Sequence, residues 1–218
     1  TATDAAGNAS SAGTISFSLD TSAPSAPTLA LASDTGNSST DGITSNRSVN
    51  VTGLETAATW QYSLNSGSTW TTGSGSSFLL SVGTTYAADS IRARQTDKAG
   101  NIGAVVQLAS AVTIDTAAPS APTLALVSDT GNSSTDGITT NPNVNLTGLE
   151  TGASWQYSLN SGSTWISGSG SSFVLTVGTT YAAGSIRARQ TDTAGNTSTV
   201  GQLASAVTID TTAPNSPT

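Results

Sequence analysis

The chain contains no cysteine, no histidine and no methionine. Without cysteine there is no disulfide, and without histidine there is no imidazole acid–base chemistry. Together the absences remove the ligands that soft-metal sites need. They also take away the most oxidation-prone side chains, which suits exposure outside a cell. Charge is scarce: 9% of the 218 residues are charged, with six Lys and Arg against thirteen Asp and Glu, for a formal net charge of −7. Such a chain lacks the basic surface that phosphate backbones require, so nucleic acid is not an expected partner. An acidic surface attracts cations instead. No apolar run approaches the length of about 20 residues that a membrane-spanning helix needs, and no signal peptide opens the chain, so no membrane insertion is expected in this segment.

What is present is mostly Ser, Thr, Gly and Ala, with apolar residues alternating with polar ones in short runs. Period-two alternation between turn-forming clusters argues for strands, and no amphipathic helical stretch of useful length occurs. The expectation is an all-β chain. The sequence starts without Met and ends in the linker-like "TTAPNSPT", which suggests a segment of something longer.

The chain repeats itself at a fixed period. Residues 20–114 align without a gap to residues 115–209, and 77 of the 95 positions are identical. The turn "TDKAGN" at 96–101 recurs as "TDTAGN" at 191–196 and as "TDAAGN" at 3–8. The expected organisation is therefore the end of a preceding repeat at 1–19, full repeats at 20–114 and 115–209, and a linker to a next repeat at 210–218. Each full repeat opens on a linker with paired prolines, "DTSAPSAP" or "DTAAPSAP". Proline fixes φ and lacks an amide donor, so this stretch reads as stiff and extended.

Seven strands are expected in the first full repeat, at 28–32, 48–52, 59–64, 69–72, 77–80, 90–96 and 105–114. Leu29, Leu31, Val49 and Val51 point inward, Trp60, Tyr62 and Leu64 share a face, and Ile91 and Ala93 alternate with outward Arg92 and Arg94. About seven short strands in about a hundred residues is the size of an immunoglobulin-like sandwich. The fold class is thus tandem immunoglobulin-like β-sandwiches in an elongated array. Residues 1–19 cannot bury a core alone and are expected to be frayed or docked on a neighbour.

An odd number of alternating strands puts the chain ends at opposite poles. The loop "SDTGNSSTDGIT" at 33–44, repeated letter for letter at 128–139, then lies at the C-terminal pole. At the junction of the two full repeats, Asp34 and Asp41 would meet Asp115 from the linker, Asp192 and Asn196 from the 191–196 turn, and Glu150. Crowded carboxylates repel, and a hard cation with six to eight oxygen ligands reverses the sign. Calcium fits better than magnesium because such ligands are many and flexible. The loop is not an EF-hand, and an Asp beside Gly36 or Gly42 serves an Asx-turn equally well. Asp89 is a weaker candidate, because its counterpart is Gly184.

The combination "DTxAPxxPTL", "SDTGxSxxDGIT", "GLExxAxWQYSxxxGxxW" and "RQTDxAGN" resembles the bacterial Ig-like repeats of giant secreted adhesins and biofilm-associated proteins. The resemblance covers nearly the whole chain. It implies type I secretion, display at the bacterial cell surface, and structural Ca2+ that stiffens a rod at domain junctions. It implies a calcium role for Asp20, Asp34, Asp41, Asp97 and Asp115, and for Asp129, Asp136, Asp192 and Asp210. Asn101 joins this set as the counterpart of Asn196.

"SLNSGSTW" at 63–70 resembles the Asp-box, a β-hairpin turn device with Asn in the Asp position. No base is placed to activate any of the serines, so no enzyme is expected. The function expected is a structural spacer supporting adhesion and biofilm formation, with neighbouring repeats of the same chain as partners. The alternatives are a glycan- or partner-binding module using Trp70 and homophilic self-association between cells.

Overall fold

The computed structural model describes residues 1–217 and contains strands and no helix among them. No helix is long and apolar enough to cross a membrane among the described residues. Two sandwiches of the same plan follow one another. The first is built from β1 (Thr28–Leu31), β2 (Ile43–Thr44), β3 (Ser48–Thr52), β4 (Thr59–Ser63), β5 (Thr71–Thr72), β6 (Ser77–Leu79), β7 (Thr84–Tyr86), β8 (Arg92–Thr96), β9 (Val106–Gln107) and β10 (Val112–Ile114). The second repeats them as β11 (Thr123–Leu126), β12 (Ile138–Thr139), β13 (Asn143–Thr147), β14 (Ser154–Ser158), β15 (Ile166–Ser167), β16 (Ser172–Val174), β17 (Thr180–Tyr181), β18 (Arg187–Thr191), β19 (Gly201–Gln202) and β20 (Val207–Ile209).

One sheet of the first sandwich runs β1-β3-β6, and the facing sheet runs β5-β4-β8-β9. A third, β2-β10-β7, closes the C-terminal pole, with β2 parallel to β10. The register sets Leu29 opposite Val51 and Trp60 opposite Gln95. Because side chains alternate across a strand, Val49 and Val51 fall inward together with Ala93 and Gln95.

Each repeat thus has ten short strands rather than about seven. The expected 105–114 strand breaks in two, because β9 pairs with β8 while β10 leaves that sheet to pair with β7 and β2. Strands β2 and β7 carry no alternation long enough to announce them. They exist because β10 offers its two edges.

The first core gathers Val49, Val51, Trp60, Phe78, Leu80, Ile91 and Ile114. Burying each such side chain contributes about 1.5–3 kcal/mol. With no disulfide available, aromatic packing ties the sheets together: Tyr62 stacks on Phe78 at 4.2 Å, and Trp60 lies 6.1 Å from Phe78. Trp60 donates from Nε1 to the Gly75 carbonyl at 3.0 Å. Gly73 lies so close under that indole that a Cβ would enter the ring. Ahead of the first sandwich, residues 3–9 close one isolated turn, and Ile15, Phe17 and Leu19 stand exposed, Phe17 at 87%.

Candidate functional site

The 33–44 loop is organised by its own carboxylates. Asp34 Oδ2 accepts the Gly42 amide at 2.9 Å, and Asp41 Oδ1 accepts the Ile43 amide at 2.9 Å. Thr35 Oγ1 accepts the Ser45 amide at 2.8 Å and bonds the Thr44 hydroxyl. Gly42, at φ 74°, passes so close to the Ala111 carbonyl that a side chain has no place. Asp129 and Asp136 repeat the arrangement. In both loops the second oxygen of the first aspartate, Oδ1 of Asp34 and of Asp129, is buried with no hydrogen-bond partner. Asp34 lines a cavity of about 190 Å3 beside Leu31 and Leu108, and Asp129 lines one of about 360 Å3 beside Leu126 and Leu203.

The TDxAGN turns are clamps. Asp97 Oδ1 accepts the amides of Gly100 and Asn101 at 2.7 and 2.8 Å, and its Oδ2 accepts the Asn101 carboxamide at 2.8 Å. That carboxamide also donates to the Asp20 carbonyl in the incoming linker at 3.1 Å. Asp192 Oδ1 likewise accepts the Asn196 amide at 2.8 Å and its Oδ2 the Asn196 carboxamide at 2.9 Å, and that carboxamide reaches the Asp115 carbonyl at 3.0 Å. The bond from Asn101, helped by the amide bonds and working against burial, which raises it, leaves the Asp97 carboxyl below its ordinary value of 3.8. Asn8 acts first in lowering Asp4 at the corresponding turn. In the linkers, Asp20, Asp115 and Asp210 each accept an amide two residues on, from Ser22, Ala117 and Thr212.

These two devices meet where the repeats join. Thr35 Oγ1 donates to the Ala194 carbonyl at 2.6 Å. Asn37 donates to the Gly152 carbonyl at 3.4 Å and accepts from Ser154 Oγ at 3.3 Å. A Cβ on Gly36 would run into the Thr193 carbonyl, and one on Gly195 would come within 2.9 Å of the Gly36 nitrogen. The seam is therefore backbone against backbone, and it buries Ala194 to 0% exposure.

The expected crowd of carboxylates at this seam does not form. Among the described residues no three acidic side chains group closely enough to hold a metal together. Asp192 has both oxygens engaged inside its own turn, where Asn196 supplies the donors that a cation would otherwise replace. Glu150 is exposed, and it is held through its main chain, its amide by Gln190 and its carbonyl by the Ala153 amide. Asp136 and Asp210 do line one cavity, of about 440 Å3, while Asp129 lines a different one. The oxygens left for a hard cation are thus the second oxygens of the loop and linker aspartates and the orphaned Oδ1 atoms. They are divided between two places.

Sequence reasoning missed Gln95 and Gln190. Gln95, 0% exposed, accepts the Glu55 amide at 2.8 Å and donates to the carbonyls of Ser25 and Gly53 at 2.7 and 3.1 Å. It fastens the proline linker to the sandwich it precedes, and Pro24 and Pro27 are buried there. The linker is part of the fold rather than a free strut. The available signal was a glutamine continuing the inward alternation of Ile91 and Ala93. Trp70 is half-buried under the Arg94 guanidinium, 4.1 Å from the ring centre, and Arg94 is held by Gln61 Oε1. Asn65 closes its hairpin by accepting the Thr69 amide at 2.9 Å.

No protein-family model matches the chain, and no curated protein does. Among solved structures, the chain is similar to the FN1–FN3 domains of chicken CNTN1, with a TM-score of 0.39 and 13% identity over 82% of this chain and 64% of that one. It is also similar to the BSP domain of a biofilm-associated protein, with a TM-score of 0.26 and 19% identity over 87% of this chain and 30% of that one. The chain thus spans less than two thirds of either structure.

Proposed function

We propose that these repeats are spacer units of a bacterial surface adhesin, acting by reach and stiffness rather than by turnover. The observation that carries this is the seam itself: residues 35–37 meet residues 193–195 so closely that no side chain fits at Gly36. Main-chain contact of this kind, with the linker latched by Gln190, leaves little room for a hinge. Near-identical repeats joined this way extend by adding copies.

Calcium is the second part of the proposal. Asp41 with Asp115, and Asp136 with Asp210, would hold the ion at the pole through oxygens left without a protein donor. Asp34 and Asp129 offer a buried oxygen each. When bound, the ion neutralises the acidic pole, and at near-millimolar extracellular calcium even sites with Kd of about 0.1–1 mM fill. Trp70 already has one face covered by Arg94, which removes half of the platform that a sugar would stack on.

Interdomain distance distributions from small-angle scattering or spin labels test both parts. Gly36→Val is expected to broaden the distribution, and calcium to narrow it and raise the Tm relative to chelator. A distribution already broad in the unaltered chain overturns the spacer. A Tm and distribution identical with calcium and with chelator overturn the ion while leaving the seam.

A further inference from the structure

Four of the chain's six basic residues lie on two strands: Arg92 and Arg94 on β8, and Arg187 and Arg189 at the same places on β18. In each strand the two arginines flank a buried alanine, so they share the outer face, about 7 Å apart along the strand. The register sets Arg94 beside Gln61 and Arg92 beside Gln107. None of the thirteen acids lies on the strands of this sheet in either repeat. Asp89 engages Arg92 through its carbonyl at 2.9 Å, and Gly184 does the same for Arg187 at 2.8 Å. Among the described residues, no hydrogen bond from these four guanidinium groups goes to a carboxylate. Both repeats hold the arginines and the adjoining Trp70 or Trp165 half-buried. The first repeat has a sandwich seated on its C-terminal pole and still carries the same face as the second, so the face belongs to the flank and does not depend on what adjoins a repeat.

The guanidinium groups are fixed before any ligand arrives. Arg94 donates from Nε and Nη2 to Gln61 Oε1 at 3.1 and 2.8 Å and lies 4.1 Å from the Trp70 ring centre, and Arg189 sits in the same way on Gln156 and Trp165. These bonds leave Nη1 of Arg94, and both Nη1 and Nη2 of Arg92, without a protein acceptor among the described residues. A planar fork already held in place loses little freedom on binding and matches a carboxylate. We infer that this face binds an acidic polysaccharide, with the arginine pair of each repeat donating to carboxylates of successive sugars. Gln107 and its counterpart Gln202 are exposed beside the first arginine of each pair, where a carboxamide meets sugar hydroxyls. Gln61 and Trp70 act through Arg94 and are positioning residues. Duplex nucleic acid fits less well, because it demands that many phosphates be neutralised at once and the chain carries a net charge of −7. A carboxylated sugar chain spaces its charges with neutral rings, so one arginine pair serves, and weak faces on successive repeats add through avidity. This goes beyond the spacer, because it uses a flank of the sandwich and needs neither the seam nor calcium.

Titration calorimetry and NMR of the full chain with polygalacturonate, in chelator, test it. The chelator removes ion bridges between the polymer and the acidic loops. Polygalacturonate is expected to bind, to shift the Nε–H signals of the four arginines and the indole signals of Trp70 and Trp165, and to bind more weakly as salt rises. Dextran, a neutral polymer, is expected to leave all of these unchanged. Arg92→Gln combined with Arg187→Gln is expected to weaken binding about tenfold or more, the worth of one hydrogen bond to a charged group. Arg94→Lys combined with Arg189→Lys keeps the charge, loses the stacked fork and is expected to weaken binding several-fold with the fold intact. The absence of polygalacturonate binding overturns the proposal. So does dextran binding equally well, and so does unaltered affinity in either variant or a set of shifts confined to the acidic loops. Tighter binding of a DNA duplex of equal total charge overturns the choice of polymer.

Discussion

Replacing Gln190 with leucine separates a linker that merely connects from one that is built into the sandwich. Gln190 is 1% exposed and makes three hydrogen bonds: it accepts the Glu150 amide at 2.8 Å and donates to the carbonyls of Ser120 and Gly148 at 2.8 and 2.9 Å. Each bond contributes about 1 kcal/mol net, so losing all three costs about 3 kcal/mol. Leucine nearly matches glutamine in volume, so no cavity adds to this. In a repeat of this size 1 kcal/mol moves the midpoint by roughly 4–8 °C, which puts the expected fall at roughly 12–24 °C. Calorimetry reads it directly. The first repeat is an internal reference, because Gln95 keeps its equivalent bonds, and one component of the melt should stay while the other drops. Hydrogen exchange at the Glu150 amide should accelerate in parallel. A fall of less than about 2 °C with that amide still protected would refute the latch.

Asn101→Ala is expected to raise the Asp97 carboxyl toward its ordinary value, because the carboxamide is the largest cause of its depression. The sign follows from linkage: a lowered folded pKa stabilises the turn above pH 3.8, and that contribution is lost as pH falls through the folded value. Carboxyl NMR titration of the two proteins checks it. Gly73→Ala places a methyl inside the Trp60 ring and is expected to cost about 1–3 kcal/mol by chemical denaturation, with Trp60 fluorescence altered. Arg94→Ala removes the cation over Trp70 and should cost only about 0.5–1 kcal/mol, read as a small shift of the denaturation midpoint.

Much of the sandwich was legible from the sequence. The alternation in 48–52 and 59–64 is long enough to specify which face is buried, and β3 and β4 lie there. Strands β2 and β7 were invisible because a two- or three-residue strand carries no period and is defined by its neighbour β10. At the poles, the sequence showed aspartates spaced for loops but not where their oxygens point. Asp192 serves its own turn rather than a shared cluster because Asn196 lies within reach, a fact of distance and not of composition.

Two near-identical repeats, strands without helices, and chemistry without thiol or imidazole were determined by the residues alone, since periodicity and missing functional groups need no coordinates. Which loop touches which, that Gly36 meets the main chain of the following repeat, and that a buried glutamine grips the linker were decided only in three dimensions. Thr35 and Ala194 are 159 residues apart in the sequence, and their contact depends on how the whole chain packs.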